Sequence, residues 1–124
     1  MTSLPTYLGA LVLGIHGIVH FLGTAVYLGL AEVADFPYKT TLLGGAVDLG
    51  DAGMRVFGIL WSVAAVGFIV SAVALLTDWD PWRLLVIAVA IVSLILTGLD
   101  YTVAYAGVVV NLGILAAVAI SYWM

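Results

Sequence analysis

The sequence predicts an all-α integral membrane bundle of four spans, running up-down-up-down. Of 124 residues, 65% are hydrophobic and only 8% charged. The charges gather at the ends of four long apolar runs, each close to the ~20 residues that a spanning helix needs. These runs do not alternate polar and apolar residues, as membrane barrel strands would. Their outward arcs are aliphatic, where a soluble bundle would carry charge. The four runs take up most of the chain, so a single domain, 1–124, is expected.

The first helix is expected over about residues 4–30. Pro5 fits its first turn, where a missing N–H is harmless. The run has no basic segment before it and is too long for the apolar part of a leader, so it reads as a retained helix. At 100° per residue, Gly9, His16, His20, Gly23 and Tyr27 share one stripe, with Ala10, Gly14, Gly17 and Phe21 beside it. Leu8, Leu11, Ile15, Ile18, Leu22 and Val26 form the opposite arc and should meet lipid. Small residues admit a neighbouring helix, so both imidazoles are expected to point into the bundle.

The connection 31–52 is polar through Glu32, Asp35, Lys39, Asp48 and Asp51, and apolar over Leu42–Val47. It reads as a surface loop, or as a short interfacial or re-entrant helix. The second helix, about 53–76, carries two small faces: Gly58, Ser62, Ala65 and Ala72 in line with Arg55, and Ala64, Gly67, Ser71 and Ala74. Two such faces suit neighbours on two sides. Arg55 is expected to pair with Asp51, one turn earlier, or with Asp48. Trp61, just off the first face, reads as a packing residue.

Residues 77–82 form a tight turn, with Trp79 and Trp82 suited to an interfacial belt and Pro81 to a helix start. The third helix, about 82–99, aligns Ala90, Ser93 and Thr97 with Asp100. After a link near Asp100–Tyr105, the fourth helix, about 104–123, aligns Gly107, Asn111, Ile114, Val118 and Ser121. With four spans, both termini and the 77–82 turn share one side, here called side A. Side B carries the 31–52 loop and Asp100. Lys39 and Arg55 on side B, against Arg83 and the amino terminus on side A, place side B in the cytoplasm by the positive-inside rule. The expected location is the cell membrane.

Depth brings the polar residues together. His16 falls near mid-membrane and His20 about 6 Å closer to side B. Ser93, Thr97 and Asp100 approach side B in turn, and Asn111 lies roughly 10 Å in from it. A polar cluster open toward side B is therefore expected, with His16, His20, Ser93, Asp100 and Asn111 as candidate ligand-binding residues. Nothing in the sequence reads as a catalytic set.

This cluster admits several chemistries. A His pair at i, i+4 can hold a metal on one helix face if Asp100, Asp48 or Asp51 supplies a third ligand. Gly17 stands where a metalloprotease helix needs Glu, so that chemistry has no support. Haem would need equivalent histidines from two protomers of a dimer. A quinone or other lipid-like ligand could accept from a histidine N–H or the Asn111 amide, with Asp100 relaying a proton. The alternative is structural: the imidazoles clamp helices together, and Asp100 is a solvated helix-end residue. The function so predicted is a small-ligand site; the alternatives are an accessory or scaffold subunit, and proton or solute transport through an oligomer.

The absence of cysteine removes disulfides, thiolate metal sites and thiol redox chemistry. A net charge of −4 with three Lys and Arg residues argues against nucleic acid or an acidic lipid surface as partner. The expected partners are the bilayer and either further copies of the chain or a larger membrane complex, because a bundle this small with extra glycine faces has surface to share.

Three motifs carry a resemblance. They are His16-Gly17-Ile18-Val19-His20-Phe21-Leu22-Gly23; Gly58-Ile59-Leu60-Trp61-Ser62-Val63-Ala64-Ala65; and Trp79 to Trp82 followed by Ser93, Asp100, Gly107 and Asn111-Leu112. Together they resemble a group of small four-helix prokaryotic membrane proteins and, more loosely, DoxX-like membrane proteins. The chain departs from the group in that Asp80-Pro81 separates its tryptophans. The resemblance implies the four-helix architecture and points to His16, His20, Asp100 and Asn111; the redox associations of DoxX-like proteins favour a quinone.

Overall fold

The computed structural model describes residues 3–124. Its four helices are α1 (Leu4–Tyr27), α2 (Gly50–Leu76), α3 (Trp82–Leu99) and α4 (Tyr101–Ser121). Each is long and apolar enough to cross a membrane, and successive helices run in alternating directions. The chain is an all-α, four-span, multi-pass membrane protein. The amino terminus, counted among the charges of side A, lies outside the described residues.

α1 starts as expected: Ser3 is its cap and accepts from the Thr6 N–H, with Pro5 in the first turn. It ends three residues sooner than the apolar run suggests. Gly29 takes a left-handed φ of 70°, and the Gly29 and Leu30 N–H groups turn back to the Val26 and Ala25 carbonyls. That is a glycine-terminated helix end, in which the last carbonyls are satisfied locally. The end of α2 repeats it with Asp78 (φ 55°) in the glycine position, Asp78 and Trp79 bonding back to Leu75 and Ala74.

α2 begins at Gly50, three residues before the expected start. The Asp48 carboxylate accepts from the Gly50 N–H at 2.9 Å, and Asp51 in the first turn favours the positive end of the helix. α3 occupies the expected span. The link read from Asp100 to Tyr105 is instead an irregular first turn of α4: Val103 and Ala104 both bond to the Asp100 carbonyl, and Ala104 is off-helix at φ −109°, ψ 21°.

The segment between α1 and α2 contains no interfacial α-helix. It holds two short antiparallel strands, β1 (Thr41–Leu42) and β2 (Val47–Asp48), joined through a 3-10 turn at Leu43–Gly45. This hairpin folds over side B as a cap. Leu42 is buried against Met54, Phe57, Leu96 and Ala104, and Phe36 meets the rings of Tyr27 and Trp61.

Helix packing follows the small residues. A Cβ on Gly17 would lie 2.8 Å from the Ala65 carbonyl, so α1 and α2 touch at backbone distance. On its other side, a Cβ on Gly67 would lie 2.9 Å from Val89 of α3. α2 thus has neighbours on two sides, as its two small faces predict. Leu8, Leu11, Ile15, Ile18 and Leu22 are exposed and face outward. Val26, grouped with them by periodicity, is only 2% exposed: it belongs to the core beneath the hairpin.

Two apolar clusters result. The one near side A is Ala10, Leu13, Phe68, Ala72, Val86, Ala90, Ile114 and Val118. The one near side B includes Val26, Tyr27, Met54, Phe57, Trp61 and Leu96. The polar residues lie between them and at the side B edge.

Candidate functional site

The expected five residues separate into two groups. His16, His20, Ser93 and Asn111 come together at the middle of the bundle, joined by Thr97. Asp100, at the end of α3 two helical turns beyond Ser93, is hydrogen-bonded elsewhere.

Geometry fixes where each proton lies in the first group. The His20 Nδ1 is 2.7 Å from the His16 carbonyl. A carbonyl only accepts, so Nδ1 carries the hydrogen and the other ring nitrogen, Nε2, is an acceptor. Ser93 Oγ, 2.6 Å from that Nε2, therefore donates to it. The Ser93 oxygen in turn accepts from the Asn111 amide at 2.8 Å. The amide oxygen of Asn111 then faces His16 Nε2 at 3.1 Å, which must donate. The circuit closes: His16 ring to Asn111, Asn111 to Ser93, Ser93 to His20, His20 to the His16 backbone. Thr97 donates to the Ser93 carbonyl at 2.9 Å and accepts from Asn111 at 3.3 Å. Both imidazoles enter the circuit as neutral rings, in opposite tautomers.

The ring is tightly enclosed. Ser93 and Asn111 are fully buried, Thr97 and His20 nearly so, and His16 is 9% exposed. The imidazoles meet edge to face at 4.5 Å, Phe68 packs beside both, and Trp61 lies 5.0 Å from His20. Toward side B, where an opening is expected, Phe57, Trp61 and Leu42 of the hairpin belong to a buried apolar cluster. Among the described residues, no three His, Asp or Glu side chains gather as metal ligands. A metal or haem iron also fits poorly here: both His20 nitrogens are engaged, leaving only Nδ1 of His16.

The second group is Tyr27, Lys39 and Asp100. Asp100 is 1% exposed, so it is not the solvated helix-end residue of one reading. Nor does it join the imidazoles. Tyr27 donates to one carboxylate oxygen and Lys39 to the other; Lys39 also donates to the Tyr27 oxygen at 3.0 Å. This is the only salt bridge among the described residues. The expected partnership of Arg55 with Asp51 or Asp48 is absent: Asp48 accepts from the Gly50 N–H, and Tyr38 donates to Asp51 instead, at 2.5 Å. That hydrogen bond raises the pKa of the Tyr38 phenol above its ordinary value, with the Asp51 charge adding to it and Arg55 opposing.

Sequence reasoning missed three participants. Tyr27 stands on the histidine stripe, and Thr97 aligns with Ser93, so both had a positional signal. Lys39 had none, since it arrives from the irregular segment before the hairpin, 61 residues before its partner. One buried polar atom remains unmatched among the described residues: the Trp61 indole N–H. No family model, curated protein or solved structure matches this chain.

Proposed function

We propose that the chain is a non-catalytic membrane scaffold or accessory subunit, whose interior polar groups hold its own helices in register. The observation that carries this reading is the closed hydrogen-bond circuit. It links α1, α3 and α4 and fills the space a ligand head would occupy. Interhelical bonds in membranes average only ~0.6 kcal/mol each, yet they fix register. Action would then lie on the exposed aliphatic faces, in contact with lipid, further copies or a partner complex. Toward side A the enclosed residues are apolar except Ser71, which bonds to the Gly67 carbonyl of its own helix. A polar path across one bundle has no support from that half.

One observation favours the second reading, a quinone or other small acceptor near His20. A buried donor without a partner costs about 1–3 kcal/mol, and Trp61 Nε1 is such a donor beside the imidazole. The DoxX-like resemblance leans the same way.

One preparation tests both. Purified protein is assayed by visible spectroscopy and by mass spectrometry of its organic extract, alongside His20→Phe and Trp61→Phe. The scaffold reading expects no chromophore, no stoichiometric quinone, and a lower melting temperature for His20→Phe. A stoichiometric quinone that either substitution removes would overturn it in favour of the second reading.

A further inference from the structure

Near side A, α3 and α4 leave an open groove of about 480 Å³, lined by Ile87, Leu115, Ala119, Tyr122 and Trp123. Its walls are aliphatic and aromatic. From Trp123 to Leu115 it descends about 12 Å along α4, from the aromatic belt into the hydrocarbon layer. Both helices span the membrane, so a lipid chain is the solvent that meets this groove.

A cation is fixed at its outer end. Arg83 lies one helical turn before Ile87, and its guanidinium sits 5.1 Å from the Tyr122 ring and 4.6 Å from the Trp82 ring. Nε donates to Ser121 Oγ at 2.9 Å and one terminal nitrogen to the Ser121 carbonyl at 3.3 Å. The Ser121 hydroxyl is itself oriented by the Val118 carbonyl. The remaining terminal nitrogen of Arg83 has no hydrogen bond, and no carboxylate pairs with the group among the described residues, although Asp78 and Asp80 lie on the adjoining turn. A planar guanidinium held by stacking and by two hydrogen bonds, with free N–H donors, suits a phosphate oxygen.

We infer that this end of the molecule binds one phosphate-bearing membrane lipid, its phosphate at Arg83 and one hydrocarbon chain in the groove. The net charge of −4 opposes diffuse attraction to an acidic surface. It does not oppose a single built contact, where one guanidinium and an apolar channel act on the same molecule.

The test uses the full chain in detergent, mixed with equal amounts of phosphatidylglycerol and a phosphate-free diglycosyl diacylglycerol of the same chains. Native mass spectrometry counts the lipid retained. Wild type should keep one phosphatidylglycerol per chain, favoured about tenfold over the glycolipid, the worth of one charge-assisted contact. Arg83→Gln should erase that preference. Ala119→Phe, on an exposed position, fills the groove without touching Arg83 and should lower retention of both lipids; it keeps the test decisive if Arg83→Gln does not fold. Equal retention of the two lipids by wild type, or retention unchanged by Ala119→Phe, overturns the inference.

Discussion

The circuit around Asn111 meets α3 at Ser93, two helical turns before Asp100 and its triad, yet one is neutral and the other charged. In the circuit, every donor and acceptor is a neutral group, and Ser93 both accepts from Asn111 and donates to His20. No net charge has to leave water, which suits a position near mid-membrane. The triad holds a buried carboxylate, and a charge there is tolerable only with a counter-ion. That counter-ion comes from the segment leading into the hairpin, with Lys39 about one-fifth exposed. Depth decides which solution is available: only the edge of the bilayer is within reach of a loop.

This contrast makes the triad sensitive to loss of charge and the circuit sensitive to loss of a single atom. The largest expected effect is Lys39→Met. It strands the Asp100 carboxylate and should destabilise by about 3 kcal/mol, the low end for a broken buried pair because Lys39 is partly solvated. Asp100→Asn should cost less, since the freed ammonium can turn to water. Equal melting losses from the two would mean that the carboxylate is not truly desolvated.

Next is Asn111→Leu, which leaves the His16 Nε2 hydrogen without an acceptor, at about 2 kcal/mol. Adding His16→Phe should recover part of that loss in a double-mutant cycle. An additive pair would separate His16 from the circuit. Unlike the triad variants, these should respond little to salt, as thermal melts in detergent would show.

Packing comes third. A Cβ on Gly23 would lie 2.6 Å from the Trp61 ring, whereas one on Gly14 meets nothing within 4 Å. Gly23→Ala should therefore cost about 1–2 kcal/mol by overpacking, and Gly14→Ala should be neutral or mildly stabilising through helix propensity. Similar melting temperatures would deny the close contact beside the circuit.

The smallest effect is at Tyr38, outside the membrane. Its phenol pKa is raised, so its bond to Asp51 contributes below the ordinary tyrosine pKa of about 10 and is lost as pH climbs through the raised value. In an ultraviolet titration, the tyrosine signal removed by Tyr38→Phe should be one that ionises late. Removal of an early-ionising signal would contradict the Tyr38–Asp51 bond.

Periodicity made much of this legible. Ala90, Ser93, Thr97 and Asp100 share a buried face on α3, as do Asn111, Ile114 and Val118 on α4, because a helix repeats its exposure every few residues. It could not reveal which buried polar groups bond to which. Asp100 and Ser93 share a line, but the segment leading into the hairpin captured one of them. Lys39 carries no repeating pattern, and its partner is set by how the cap folds. The early end of α1 was readable in principle: Gly29 is the residue type that stops helices in a left-handed turn. The apolar run through Leu30 masked it, since hydrophobicity does not report backbone handedness.

The Asn111 carboxamide has a further effect on how the circuit behaves. Grotthuss hopping needs each station to accept on one side and release on the other, then reset. A carboxamide oxygen has no hydrogen to release, and its nitrogen does not readily take one up, so a proton arriving from His16 would stop there. The loop has a single sense of circulation and cannot reverse it without flipping the amide. It therefore has the geometry of a latch with fixed polarity, carrying orientation from one helix to the next.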